Sequence, residues 1–284
     1  MAIPKIFFTY WEGNNLSILH YYTIASILKQ NPDISVTIYT ANVDSNILVQ
    51  WNSNEHSEKF DKTIKLETLV TIDTDRVKLV NIDFMTEYGV DNSLSCVFKA
   101  DFVRICKLYE HGGMWFDMDV LFIKPFPKYF FDNNVDFYYF IYNNSPVVPT
   151  GLLLSTPKNE MITNIYQEAV ETIKNPKNLN DYQKIGPILW TDKLNMNHTN
   201  FKKIGLPGSQ VYPYDWITYE KFFNNTDTSC IKDDTFCIHW YNGGQHSKTF
   251  VRNFDENNIN INRSACDIFL SELDPPFFIS YLNN

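Results

Sequence analysis

KADFVRICKLYEHGGMWFDMDVLFIKPF, Lys99 to Phe126, decides how this chain is read. Phe98, Phe102, Ile105, Leu108 and Tyr109 mark one apolar face of a helix, which Gly112 and Gly113 terminate. Met114 to Asp117 and Val120 to Ile123 then read as strand, closed by Pro125. Inside that apolar run stand two carboxylates, Asp117 and Asp119. A buried carboxylate is costly unless it is paired, hydrogen-bonded or bound to a metal. In an extended segment side chains alternate, so both acids project to one side and Met118 to the other. Two carboxylates at the carboxyl end of a strand make half of a site for a hard divalent cation. That edge of an open α/β sheet is also where ligands bind. The competing reading is a pair of turn aspartates, one capping and one solvated; the apolar flanks weigh against an exposed turn.

Outward from this core the chain alternates strand and helix. Lys5 to Phe8 reads as a buried first strand, Leu16 to Gln30 as a helix stopped by Asn31-Pro32, and Val36 to Tyr39 as a second strand. A β-helix-β opening predicts a parallel sheet and an α/β class. Residues 44–92 carry weak periodicity, with a strand expected at Val80 to Ile82. Phe137 to Tyr142 and Leu152 to Ser155 are further strands, and Glu160 to Ile173 is a helix ended by Asn175-Pro176. Ile188 to Leu194 reads as helix and Phe236 to Trp240 as strand. One domain over 1–284 is expected, with the carboxylate-bearing, ligand-binding half at 1–126 and a second half at 127–284.

Composition narrows the function. The 284 residues are 44% hydrophobic, enough for a large core, and the net charge of −9 argues against nucleic acid as a partner. Five cysteines without a CxxC pair indicate neither a disulfide framework nor a zinc site, and Cys106 reads as a buried thiol in the helix. No signal peptide or membrane span is recognisable, so a soluble, cytoplasmic protein is expected. Asp101 and Arg104, at i and i+3, fit a surface ion pair of ~0.3–0.5 kcal/mol, or a pair turned toward a ligand at the carboxylate site.

The Lys99–Phe126 stretch resembles the sugar-binding DxD region of family 32 glycosyltransferases and the catalytic domains of large clostridial glucosylating toxins. Ala100, Asp101, Arg104, Gly112, Gly113, Asp117 and Asp119 carry the match, with Trp115 where Tyr is usual. The opening IPKIFFTYWEG is similar to that family's first strand, Gly186-Pro187 to its GP step and His239-Trp240 to its late HxW-type segment. Thr150-Gly151 and Asn159 depart from its usual residues.

The resemblance implies a GT-A fold, Rossmann-like with a mostly parallel sheet, flanking helices and helical embellishments. It implies retaining transfer of a hexose from a nucleotide sugar, with a UDP-hexose the expected donor and Mn²⁺ or Mg²⁺ the cofactor. Trp11 would stack on the base, with Phe8, Thr9 and Tyr10 lining its pocket and Trp115 beside nucleotide or sugar. Asp101 and Arg104 would hold sugar hydroxyls. Asp117 would contact ribose, sugar or metal, and Asp119 would be a direct ligand. His239 is a third ligand or a structural histidine, and Ser247 or Lys248 would assist a loop closing on the diphosphate. The acceptor would be a glycan, a lipid or a protein side chain. A nucleotidyltransferase of similar fold and a calcium-dependent carbohydrate-binding module are the alternatives. The first would want a Gly-rich basic loop, which FFTYWEGNN lacks.

Overall fold

The computed structural model describes residues 1–41, 64–132, 134–142, 145–175, 177, 179, 181, 183–196, 201–254 and 263–273. The strands are β1 (Phe7–Glu12), β2 (Asn15–Leu16), β3 (Val36–Ala41), β4 (Ile64–Lys65), β5 (Val77–Asn81), β6 (Gly113–Phe116), β7 (Val120–Phe122), β8 (Phe137–Ile141), β9 (Leu152–Ser155), β10 (Lys203–Pro207) and β11 (Cys237–His239). The helices are α1 (Ile18–Gln30), α2 (Phe84–Tyr88), α3 (Cys96–Glu110), α4 (Glu160–Ile173), α5 (Leu189–Asn195), α6 (Glu220–Asn224), α7 (Gln245–Asn253) and α8 (Ala265–Ser271).

Seven strands form the central sheet in the order β10-β8-β9-β6-β1-β3-β5. β9 alone in that sheet runs antiparallel to its neighbours, so the sheet is mostly parallel, as expected. Strands from both sides of residue 126 share it. Apolar residues alternate across it: Phe7, Met114, Phe116, Leu152 and Leu154 face one layer with α1. Phe8, Tyr10, Trp115 and Leu153 face the other, under α3, α4 and α5. Each such fully buried large side chain contributes about 1.5–3 kcal/mol, which fixes strand register, because a one-residue slip would exchange the two faces.

Three differences from expectation bear on the site. β1 begins at Phe7 rather than Lys5, and runs on to Glu12, carrying Tyr10 and Trp11 to the carboxyl edge. β7 leaves the main sheet and pairs antiparallel with β11, so His239 stands opposite Val120. Asp117, Met118 and Asp119 form the turn between β6 and β7 rather than extended strand. Pro176, expected to stop α4, lies outside the described residues, and α4 ends at Ile173.

The glycine pair is needed where it stands. Gly112 and Gly113 have φ of 68° and 104°, a left-handed region that side chains rarely adopt. A Cβ on Gly112 would also lie 2.6 Å from the Ser155 carbonyl oxygen. This sharp exit turns the end of α3 directly into β6, so Asp101 and Arg104 sit above the turn that bears Asp117 and Asp119.

Candidate active site

The turn bearing the two aspartates is fastened by three other segments. The Asp117 amide donates to Gly151 O (2.7 Å), and the hydroxyl of Thr23 on α1 donates to Met118 O (2.9 Å). The Trp240 amide donates to Asp119 O (2.8 Å), and the Asn242 amide to Asp119 Oδ2 (2.8 Å). Met118, between the acids, is buried in the α1 layer. The expected separation therefore holds by turn geometry: the apolar residue goes inward and both carboxylates go to the edge.

Arg104 ties the helix to that turn. Its guanidinium pairs with Asp101 through Nη1, donates from Nη1 to Thr150 Oγ1 (2.7 Å) and from Nη2 to Asp117 Oδ1 (2.8 Å). Trp115 Nε1 donates to the same Asp117 oxygen (2.7 Å), and the guanidinium lies 4.8 Å from the Trp115 ring centroid. Both Asp101 and Arg104 are buried, so this is no surface ion pair. Burial pushes the Asp101 carboxyl up to about 6, against the pull of Arg104. Burial also opposes the charge of Asp117, but Arg104 and then His239 hold it at about 2. Gly186 lies against this pair: a Cβ there would stand 2.5 Å from Asp101 Oδ2.

His239, at the end of β11, completes the cluster. Its Nε2 is 3.2 Å from Asp119 Oδ1 and 3.8 Å from Asp117 Oδ2. Burial opposes charge on this imidazole, yet the two carboxylates hold its pKa above the ordinary histidine value. Burial, then the neighbouring Asp117 charge, raises Asp119. One ligand atom from each of the three residues lies within 4.8 Å of the others, an O, O, N set suited to a divalent cation. The cluster opens onto a cavity of about 700 Å³, the size of a nucleotide-scale ligand site.

Residues 19–141, which carry most of this construction, match the family model described as a glycosyltransferase sugar-binding region containing a DXD motif. Over those residues the chain carries a glycosyltransferase sugar-binding region of the DXD type. No curated protein matches it significantly. Solved structures similar to it include the PaToxG glycosyltransferase, 19% identical, with 68% of this chain and 69% of that one covered and a TM-score of 0.48. The galactosyltransferase LgtC in complex with donor and acceptor sugar analogs is 13% identical over 90% of this chain and 99% of that one, TM-score 0.45. GlyE from Streptococcus pneumoniae TIGR4, in its apo form, is 12% identical over 98% and 64%, TM-score 0.48.

Tyr10, Trp11, Asp101, Arg104, Trp115, Asp117, Asp119, His239 and Lys248 all line this cavity. Three expected residues do not. Phe8 points into the apolar layer, edge-on to Tyr39, His111 and Trp115, and Thr9 is fully buried within β1. Only the carboxyl end of that strand reaches the cavity, so the two residues upstream belong to the core. Ser247 is buried and donates its hydroxyl to Tyr241 O (2.6 Å) and Gly244 O (2.7 Å), fixing the entry of α7 instead of facing a ligand. Asn159, one of the departures from the family pattern, caps α4 by accepting from the Ile162 amide (2.9 Å).

Sequence reasoning missed the Glu12–Lys99 ion pair, 2.9 Å long and almost fully buried, whose Glu12 lines the cavity. Glu12 also accepts from the Tyr10 hydroxyl (2.7 Å). The available signal was Lys99 itself, a charge on α3 two residues before Asp101. His20 was read only as part of a helix. It lies behind Trp11, ring centroids 4.4 Å apart, and burial lowers its pKa to about 3.

Proposed function

We propose that this protein is a glycosyltransferase that moves a hexose from a UDP-sugar to an acceptor hydroxyl, with retention at the anomeric carbon and with Mn²⁺ or Mg²⁺ bound at Asp117, Asp119 and His239. The observation that carries the reading is the charge of the cavity. Glu12, Asp101, Asp117 and Asp119 line it against Arg104 and Lys248, and Arg104 is engaged by two of the acids. A diphosphate entering an acid-rich cavity needs a cation to bridge it to the protein. The two carboxylates and the imidazole supply the donor types such an ion takes. When bound, the cation neutralises the charge that develops on the departing diphosphate.

The chain's own residues supply position. Trp11, at the end of β1 and facing the cavity, gives the base a stacking surface, and its Nε1 is anchored on Asn15 O (3.1 Å). Asp101 and Arg104 face the hexose, the carboxylate accepting from its hydroxyls and the guanidinium donating to them. Trp115 holds Asp117 from the side. Lys248, on α7, lines the cavity and would meet the diphosphate there.

The carboxylates that line the cavity are all engaged: Glu12 by Lys99 and Tyr10, Asp101 by Arg104, Asp117 by Arg104 and Trp115, Asp119 by His239 and Asn242. That favours attack by the acceptor oxygen on the face from which UDP leaves over a covalent glycosyl-enzyme. The new C–O bond forms as the anomeric C–O bond to phosphate breaks, and the hydroxyl proton passes to the departing phosphate oxygen. The test is the anomeric configuration of a transfer product, read by NMR, from incubation with a panel of UDP-hexoses and Mn²⁺. Retention without a trapped glycosyl-enzyme is expected. An inverted product, or a covalent adduct found by mass spectrometry, sinks the mechanism.

A further inference from the structure

Four polar atoms on residues that line the cavity are buried without a hydrogen-bond partner: Arg104 Nε, Tyr212 Oη, His239 Nδ1 and Asn242 Oδ1. Leaving a buried donor or acceptor unpaired costs free energy, so such a group points to a missing partner. Arg104 and His239 already have roles in the sugar-holding pair and the cation site, and Asn242 holds Asp119 through its backbone amide, whereas Tyr212 has been given none. Its side chain is buried at 5% exposure.

Its place is fixed by its backbone and its ring. The Tyr212 amide donates to Gly208 O (2.7 Å), and the His239 amide ties the preceding residue, Val211, through its carbonyl (3.0 Å). The ring packs against Tyr142 and His239, centroids 4.9 and 5.3 Å away. The hydroxyl oxygen lies 2.9 Å from where a Cβ on Gly151 would stand. Gly151 follows Thr150, the residue that accepts from Arg104, so the phenol tip reaches the Asp101–Arg104–Thr150 side of the cavity. A phenylalanine would fill the same apolar pocket between Tyr142 and His239. What the tyrosine adds is one hydroxyl, held neutral by its surroundings, able both to donate and to accept, and left unpaired by the protein.

We propose that Tyr212 is a specificity-determining residue whose hydroxyl pairs with a hydroxyl of the transferred hexose, so that the site selects donors carrying that hydroxyl. The inference rests on the nucleotide-sugar reading above. A site built to hydrogen-bond a substrate hydroxyl discriminates strongly against an analogue without it, because its own buried group is then stranded.

The test is Tyr212→Phe, compared with wild type by calorimetry in Mn²⁺, using UDP and the member of a UDP-hexose panel that wild type binds most tightly. The variant's melting temperature is measured without ligand. The expected result is a loss of roughly tenfold in UDP-hexose affinity with UDP affinity unchanged, one hydrogen bond's worth on the usual scale. The ligand-free melting temperature stays the same or rises, since an unpaired buried hydroxyl has gone. Equal losses for UDP and UDP-hexose would place the contact on the diphosphate and overturn the inference, as would no loss for either. A lower ligand-free melting temperature with both affinities unchanged would make the hydroxyl structural and also overturn it. If wild type binds neither UDP nor any UDP-hexose, the underlying reading fails, and the inference fails with it.

Discussion

Arg104 Nη2 lies 2.8 Å from Asp117 Oδ1, joining a helix residue to the first acid of the DxD turn across the glycine pair. The same guanidinium carries Asp101, so one buried cation holds a carboxylate that water hardly reaches and a second, Asp117, that is partly exposed at the cavity. Removing one partner of a buried ion pair leaves an uncompensated charge and costs about 3–5 kcal/mol. Arg104→Met is therefore expected to lower stability by that order in urea unfolding, and to abolish donor binding. Asp101→Asn keeps a hydrogen-bond acceptor beside Arg104 and should cost less. Equal, small effects of both substitutions would show that the pair is not the anchor described.

Asp119 is placed by the backbone of Asn242 and faces His239. Asp119→Asn keeps the shape but removes an anionic oxygen from the cation's donor set. The expected outcome is a fall of two orders of magnitude or more in nucleotide release from a UDP-hexose, with little change in melting temperature. Retention of half the wild-type rate would contradict the assignment of Asp119 as a ligand.

Gly186 gives the Asp101 carboxylate the room it occupies. In Gly186→Ala the new methyl must displace Asp101 or move the kinked turn Lys184–Ile188 that bears it. Either shift moves a group that faces the sugar, so the Km for the nucleotide sugar should rise about tenfold or more, an ångström of displacement being enough for that. An unchanged Km would separate Asp101 from sugar binding.

Thr23 braces the turn from beneath, donating to Met118 O. Thr23→Val keeps the shape and leaves that buried carbonyl without its partner, for a loss of about 1–3 kcal/mol. Denaturant titration reads the cost. A neutral substitution would mean that the turn holds its form without α1.

Burial gives the protein an acid-sensitive histidine that is not one of the proposed cation ligands. His20 accepts from the Ser17 amide at Nδ1 (3.0 Å) and titrates at about 3 in the fold, against about 6.5 in an unfolded chain. Below pH 6.5 the unfolded state binds a proton that the folded state refuses. The contribution of His20 is thus complete above pH 6.5 and is lost as pH falls toward 3, with a slope of about 1.4 kcal/mol per pH unit. His20→Asn should flatten the decline of stability between pH 6 and 4. Parallel profiles for variant and wild type would place the acid sensitivity elsewhere.

Much of the site was legible because its parts lie close together in sequence and obey local rules. The 3.6-residue apolar period set α3, the glycine pair ended it, and the two acids in an apolar run demanded compensation. That reasoning failed where composition does not distinguish alternatives. A three-residue turn between two apolar strands reads like one continuous strand, so Asp117 to Asp119 looked extended. Long-range pairings left no local trace either. β7 met β11, and Glu12 met Lys99, across most of a sheet's worth of chain. Likeness to a motif sends Phe8 and Thr9 to the cavity, whereas the alternation and length of β1 put them in the core. Tyr212 opens the aromatic run YPYDW, Tyr212 to Trp216, which reads at least as well as a surface loop tucked onto the core as it does as an acceptor-site lining. Only its unpaired hydroxyl sets it apart, and hydrogen bonding is not visible in sequence.

The most direct test of the account is calorimetry of UDP binding to the wild-type protein, in Mn²⁺ and again in excess chelator. An acid-rich cavity that needs a cation to hold a diphosphate should bind UDP in Mn²⁺ and release it in chelator. UDP affinity equal in the two conditions would contradict the assignment of Asp117, Asp119 and His239 as the cation site.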